Sequence, residues 1–176
     1  TGEKAPSLTD DGKALAAELS TRGMDAEPVV WSDDEADPTA FDAVLFRSCW
    51  QYHRRPEAFR RWLDALDSAG VPAFNPTSVV RWNMHKSYLR DLADAGVDIV
   101  PTTMVPATSD RELPSMLEGN DWAEAVVKPA VGTSSAGVWR VSRAAAAADS
   151  DTRERFERAR SEGDLLVQKY LSEIFD

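Results

Sequence analysis

Val126-Val127-Lys128-Pro129-Ala130-Val131-Gly132-Thr133-Ser134-Ser135-Ala136-Gly137 decides how this chain is read. An apolar run closed by a lysine and a proline predicts a buried strand, and the loop behind it is built from Gly, Ser, Thr and Ala. Small side chains let backbone N–H groups approach phosphate oxygens, and the hydroxyls of Thr133, Ser134 and Ser135 add donors. Lys128 adds a point charge at the strand end. The order excludes the P-loop, in which the lysine follows the glycines, and the stretch does not match a GxGxxG dinucleotide fingerprint. Taken alone it also fits an ordinary hairpin turn, with Gly137 to Ser142 as the returning strand.

Two segments on either side have matching chemistry. In Trp82-Asn83-Met84-His85-Lys86, Asn83 is a candidate cap for a helix running to Ala95, which sets Lys86 in the first turn. The helix dipole disfavours a cation there by up to ~1 kcal/mol, while an ammonium beside free N–H groups makes an anion site. A solvated surface lysine is the plain alternative. In Leu165-Leu166-Val167-Gln168-Lys169-Tyr170-Leu171 an apolar strand runs into a polar and aromatic step. That step can offer backbone groups to an adenine edge, with Tyr170 or Leu171 packing on the ring; a plain edge strand is the alternative. About 40 residues separate Lys86 from Lys128, and about 40 more separate Lys128 from Gln168.

The surrounding pattern alternates helix and strand, which predicts an α/β architecture. Thr9 caps a helix carrying Leu15, Ala16 and Leu19 and closed by Gly23. Strands are expected at Glu27 to Trp31, Ala43 to Phe46 and Val71 to Phe74. Between the first two lies an acidic turn with Asp33, Asp34, Glu35 and Asp37. Pro56 opens a helix whose apolar face is Phe59, Trp62, Leu63 and Leu66, ended by Gly70. Thr77 to Trp82 reads as a short helical linker. Ile99 to Val105 is extended but contains Pro101, so an edge or a connecting strand is expected. A helix near Ser109 to Leu117 contains Pro114, Thr152 to Arg160 is a charged surface helix, and Leu165 to Gln168 is the last strand. The expected domains are 1–76, a small α/β unit, and 77–176, a mixed α+β unit. The chain opens on a helix where a doubly wound domain first lays down a strand, and it closes just after a strand, so a fragment is expected.

The 176 residues are 43% hydrophobic with no apolar run near the ~18 residues of a membrane span. The formal net charge of −10 argues against extended contact with a nucleic-acid backbone. With Cys49 as the single cysteine, no internal disulfide or cysteine-based metal cluster can form, and a reducing cytoplasm is the default. The polar start from Thr1 to Asp11 has no leader pattern. Fifteen arginines stand against five lysines, namely Lys4, Lys13, Lys86, Lys128 and Lys169. That Asp-rich, Lys-poor balance is like that of salt-loving microbes or of a GC-rich genome. It also makes a lysine inside a motif more informative.

Arg47 follows the Ala43 to Phe46 strand, the end at which open α/β sheets collect ligands, and its guanidinium can grip a carboxylate through two parallel bonds. Trp50 and Tyr52 are placed to shape that pocket, or the three simply make an arginine packed on an aromatic cluster. Cys49 is not read as a nucleophile, because neither His53 nor His85 has a recognisable orienting partner.

Taken together, the first-turn lysine, the strand-end lysine with its small-residue loop and the Gln168-Lys169-Tyr170-Leu171 step resemble the ATP-grasp superfamily. Asn75-Pro76 and the run from Gly96 to Thr103 have the same character. The likeness extends from about Ala43 to the C-terminus. It is nearest to ligases of the glutathione synthetase type and, within them, to a group related to the cycloserine-pathway ligase. The resemblance implies a small doubly wound parallel-sheet pre-ATP-grasp domain on the substrate side, then the first α+β lobe of an ATP-grasp fold, with the C-terminal lobe missing.

Lys86 and Lys128 would then reach the α- and β-phosphates of ATP. The loop Gly132, Thr133, Ser134, Ser135, Ala136 and Gly137 would form a flexible lid, Gln168, Lys169, Tyr170 and Leu171 would line the adenine pocket, and Glu173 would reach the ribose. Arg47 would take a catalytic and substrate-binding role, with Trp50 and Tyr52 beside it. Mg²⁺ ligands are expected beyond residue 176 and none within it. The implied reaction is ATP-dependent joining of a small-molecule carboxylate to an amine through an acyl phosphate, with this piece inactive alone. A small-molecule kinase and a non-catalytic nucleotide-binding module are the alternatives. Neither nucleic acid nor membrane is an expected partner, and the resemblance allows a homodimer paired through the first domain.

Overall fold

The computed structural model describes residues 8–33 and 35–175. The chain forms two compact units, Thr1–Trp82 and Asn83–Asp176.

In the first unit, α1 (Asp10–Thr21) is capped by Thr9, whose hydroxyl accepts from Gly12 N–H at 3.3 Å. Two short strands, β1 (Val44–Leu45) and β2 (Ala73–Phe74), pair in parallel with Val44 opposite Ala73. Helix α2 (Pro56–Ala69) crosses between them. The expected strand at Glu27 to Trp31 is not formed; residues 27–30 are irregular and Trp31 enters a turn, so among the described residues the parallel sheet of this unit has two strands. Of the acidic turn, Asp34 lies outside the described residues.

The α2 pattern explains why this unit holds together. Pro56 occupies the first helical position, where its missing N–H is not needed. Phe59, Leu63 and Leu66 recur at helical spacing and are buried. Gly70 ends the helix at φ 68°, a conformation that a side chain resists, and lets Val71 N–H return to the Leu66 carbonyl at 3.1 Å. Around Phe59 the rings of Trp31 (centroids 4.9 Å apart, edge-on), Tyr52 (5.5 Å, stacked) and Trp62 (6.1 Å, stacked) close an aromatic core. Edge-on and offset pairs of this kind each contribute about 0.5–1.5 kcal/mol beyond area burial. Helix α3 (Thr77–Met84) is tied to α2 by Thr77 and Arg81, both bonded to Asp67.

The second unit is a four-stranded antiparallel sheet in the order β3, β6, β4, β5. The strands are β3 (Thr102–Val105), β4 (Glu124–Pro129), β5 (Trp139–Ser142) and β6 (Leu165–Lys169). Val127 stands opposite Trp139 on one side and Val167 on the other, and Lys128 opposite Leu166. Because successive side chains alternate between faces, one face gathers Ala125, Val127, Val141, Leu165 and Val167. These pack on Leu113, Met116 and Leu117 of α5 (Leu113–Gly119), Ala146 of α6 (Arg143–Ala148) and Phe156 of α7 (Ser150–Glu162). Fully burying a side chain of this size is worth about 1.5–3 kcal/mol. The opposite face carries Thr102, Lys128, Gln168 and Arg140.

Pro101 precedes the edge strand β3, as expected, and its carbonyl accepts Lys169 N–H at 2.9 Å. Pro114 falls in the first turn of α5, where proline is tolerated, so the helix starts at Leu113 instead of Ser109. The alanine run 144–148 lies in helix α6, capped by Ser142. β6 lies inside the sheet between β3 and β4, which overturns the edge-strand alternative.

Phe59 is the centre of the first unit's packing, so Phe59→Ala is expected to destabilise that unit by about 3–5 kcal/mol. Urea unfolding followed by tryptophan emission checks this, since Trp31 and Trp62 border the cavity; a loss below about 1 kcal/mol would disprove the role given to the aromatic cluster.

Candidate functional site

Lys128 projects from the end of β4 on the face opposite the helices, diagonal to Gln168 on β6. Its Nζ donates to Gln168 Oε1 at 2.7 Å, and Gln168 Nε2 donates to Thr102 Oγ1 at 2.7 Å. Thr102 in turn donates to the Val100 carbonyl at 2.6 Å. Three strands thus align one polar row. The relay fixes the amide of Gln168 with its oxygen toward the ammonium. Thr102 has no signal of its own in the sequence, because its role depends on which strands become neighbours.

Lys86 does not lie in the first turn of a helix. α3 runs on through Asn83 and Met84, a turn follows at residues 85–87, and the next helix is α4 (Tyr88–Asp94), so the helix expected from Asn83 to Ala95 is divided. The physical reason is a bond from outside the helix. Lys86 N–H donates to the Ala130 carbonyl at 2.8 Å, which removes it from any helical ladder and from service as a free anion donor. The side chain then reaches the loop after β4, where Nζ donates to the Gly132 carbonyl at 2.9 Å.

Both ammonium groups are half-buried, and Lys86 lies close enough to feel the charge of Lys128. Burial, and then the charge of Lys128, push the Lys86 ammonium below its ordinary pKa of 10.5. Burial does the same to Lys128. Each ammonium has three donors and each is given one protein acceptor here, Gly132 O for Lys86 and Gln168 Oε1 for Lys128. Such a pair is chemically suited to a polyanion, whose oxygens can act as further acceptors and as counter-charge.

The loop from Gly132 to Gly137 follows β4 and accepts Lys86 Nζ at the Gly132 carbonyl. Ser134 (φ 52°), Ser135 (φ 58°) and Gly137 (φ 70°) take left-handed conformations, and Ser134 to Gly137 are exposed. Gly137 is required twice over, since a Cβ there would stand 2.9 Å from Pro129 Cγ as well as at an unfavourable φ. Lys169 is exposed, and its N–H and that of Tyr170 are already bonded to the carbonyls of Pro101 and Glu124. Tyr170 lies under Arg140, whose guanidinium carbon is 3.8 Å from the ring centre and whose Nη1 donates to the phenolic oxygen at 3.1 Å. Arg140 is held by both oxygens of Glu124. Neither Arg140 nor Glu124 was distinguishable from a surface charge before the strand register was known. Leu171 follows, and Glu173 sits in an exposed turn, where its own N–H and the Ser172 hydroxyl lower its pKa.

Arg47, Trp50 and Tyr52 belong to the first unit. Arg47 Nη2 bonds to Asp11 Oδ2 at 2.6 Å on an exposed surface. Trp50 is 41% exposed, and its carbonyl accepts Trp31 Nε1–H at 2.8 Å. Tyr52 stacks on Phe59 as part of the core. A cavity of about 240 Å³ in this unit, lined by Trp31, Arg55, Arg61 and Trp62, includes none of the three. Burial pushes the Cys49 thiol up, away from nucleophilic use. Among the described residues no cluster of three His, Cys, Asp or Glu side chains has metal-binding spacing, and no helix is long and apolar enough to cross a membrane.

Residues 1–75 match the family described as the N-terminal domain of the D-cycloserine synthetase DcsG. The chain is 36% identical over 139 residues to the cycloserine biosynthesis protein DcsG of Streptomyces lavendulae, covering 77% of this chain and 46% of that protein. The crystal structure of D-cycloserine synthetase DcsG superposes with a TM-score of 0.82 at 31% identity, over 93% of this chain and 55% of that one. An ATP-grasp RimK domain protein from Sphaerobacter thermophilus gives 0.66 at 20% identity, over 95% and 62%. The ATP-grasp ligase PsnB, complexed with a minimal precursor, gives 0.57 at 17% identity, over 93% and 61%. The chain is thus related to D-cycloserine synthetase and has the fold of these ATP-grasp structures over its length, as the lysine and loop pattern implied. It spans about half the length of the DcsG proteins it matches.

The lowered lysine pKa gives a signed test. A group that discharges below 10.5 loses its pull on anions at a lower pH than an ordinary lysine does. Tripolyphosphate affinity is expected to weaken as pH rises through the alkaline range short of 10.5, with proton uptake on binding. Calorimetry in buffers of different ionisation enthalpy reads both; binding that is flat up to pH 10.5, with no proton uptake, would contradict it.

Proposed function

We propose that this chain is the nucleotide-holding part of an ATP-dependent carboxylate–amine ligase. The observation that carries this reading is the convergence of Lys86 and Lys128 beside a Gly/Ser loop, in a chain related to D-cycloserine synthetase. Bound ATP supplies its terminal phosphoryl group to a substrate carboxylate, and an amine then displaces phosphate to give an amide. Lys86 and Lys128 take the α- and β-phosphates as point charges, and the Gly132 to Gly137 loop covers them. Gln168 to Leu171 line the adenine. Since the Lys169 and Tyr170 N–H groups are bonded within the sheet, this wall works through its carbonyls, the Tyr170 ring and Leu171. Glu173 is assigned to the ribose.

The first domain is assigned the substrate side, with Arg47 gripping a carboxylate once Asp11 is displaced, and Trp50 beside it. Tyr52 supports that loop through its stacking on Phe59. A small-molecule carboxylate and a small-molecule amine are the proposed substrates, in line with the relative's place in cycloserine biosynthesis. Mg²⁺ accompanies the nucleotide. The described residues offer it no carboxylate cluster, so no step is assigned to the metal here.

Titration of the 176-residue chain with ATP is expected to release measurable heat, and Lys128→Ala or Lys86→Ala to weaken affinity by about tenfold or more. Unchanged affinity in both variants would overturn the site. In turnover mixtures, hydroxylamine captures an acyl phosphate as a hydroxamate; ADP formed without hydroxamate would favour a kinase.

A further inference from the structure

His85 lies next to Lys86 in the turn between α3 and α4. Its Nδ1 accepts the N–H of Ser87 at 3.1 Å, and its Nε2 faces Asp164 Oδ2 at 3.4 Å. The ring therefore has an orienting partner, contrary to the sequence reading. Nδ1 is an acceptor in this arrangement, so the proton is on Nε2, directed at the carboxylate.

Asp164 is the hub. Its other carboxylate oxygen accepts Ala107 N–H at 2.8 Å, and its main-chain carbonyl accepts Ala130 N–H at 2.8 Å. The Ala130 carbonyl accepts Lys86 N–H at 2.8 Å, and Lys86 Nζ reaches Gly132. A closed ring of contacts thus runs from His85 to Asp164, Ala130 and Lys86, with hydrogen bonds at Ala130 and a 3.4 Å approach between His85 and Asp164. It ties the turn at residues 85–87 to the start of β6 and the root of the loop after β4. No helix supports Lys86 at this point, so this ring is what can hold its ammonium near Lys128.

We propose that His85 and Asp164 are positioning residues that lock the turn bearing Lys86 against the root of the phosphate loop. The assignment rests on the nucleotide site described above for its use, but not for its geometry. His85 touches no phosphate. Its ring reaches from the Ser87 amide to the Asp164 carboxylate, on either side of Lys86 in the turn.

Two substitutions separate the two ends of the ring. His85→Asn keeps an acceptor near Ser87 and loses the reach to Asp164; His85→Gln keeps the reach and loses the acceptor. Asp164→Asn retains an acceptor for Ala107 while removing the charge. The first readout needs no nucleotide: the Lys86 side-chain titration in the free protein, followed by NMR of labelled lysine. In His85→Asn and Asp164→Asn the Lys86 titration is expected to return toward that of an ordinary lysine, while Lys128 is less affected and the folded spectrum is kept. The second is ATP affinity, expected to fall roughly three- to tenfold. If the Lys86 titration stays as in the parent chain in all three variants, the positioning role is wrong. If it shifts but the parent chain binds no ATP, the positioning stands and the nucleotide reading fails.

Discussion

Two positive charges held close together and half out of water are the constraint on which the second unit depends. Lys86 and Lys128 repel each other and both lose hydration, and the protein answers with carbonyl oxygens, from Gly132 and from the Gln168 side chain, rather than with a carboxylate. A carboxylate would neutralise the pair and remove its attraction for anions. Carbonyl dipoles hold the ammonium groups in place and leave the charge available. An anion bound as proposed above would supply the counter-charge that the carbonyls do not.

The sheet makes that arrangement possible. Alternation along β4 and β6 sends Val127, Leu165 and Val167 into the helix-backed core and Lys128 and Gln168 to the other face. The same residues that anchor the strands in the core therefore aim the polar row. Any slip of register by one residue would bury Lys128 among Leu117 and Phe156. The positions of Thr102 and Arg140 follow from the same register, since each is placed by pairing with Gln168 or with Val126.

Part of this was legible in the chain and part was not. The strand at Val126 to Lys128, the loop to Gly137, the strand at Leu165 to Gln168 and helix α2 were readable because hydrophobic period, glycine and proline act locally. The Lys86 turn was misread because Asn83 is a good cap and nothing local says that Ala130 will take the Lys86 N–H. The strand expected at Glu27 to Trp31 failed because the stretch is apolar enough for a strand but finds no ladder partner among the described residues. The Asp164 hub, His85's partner and the Arg140–Tyr170 stack are contacts between residues far apart in the chain, and no local pattern marks them.

The sequence by itself determined the alternation of buried and exposed positions, the helix and strand boundaries set by proline and glycine, and which two lysines were out of the ordinary. The tertiary structure alone decided that Lys86 feels the charge of Lys128, that β6 is an inner strand, and that Lys86 sits in a turn with its N–H bonded to the Ala130 carbonyl rather than in a helix. The division has a physical cause. Local propensity depends on neighbours within a few residues, whereas the charge pair depends on strand order, which is settled only when the whole sheet closes its hydrogen bonds at once.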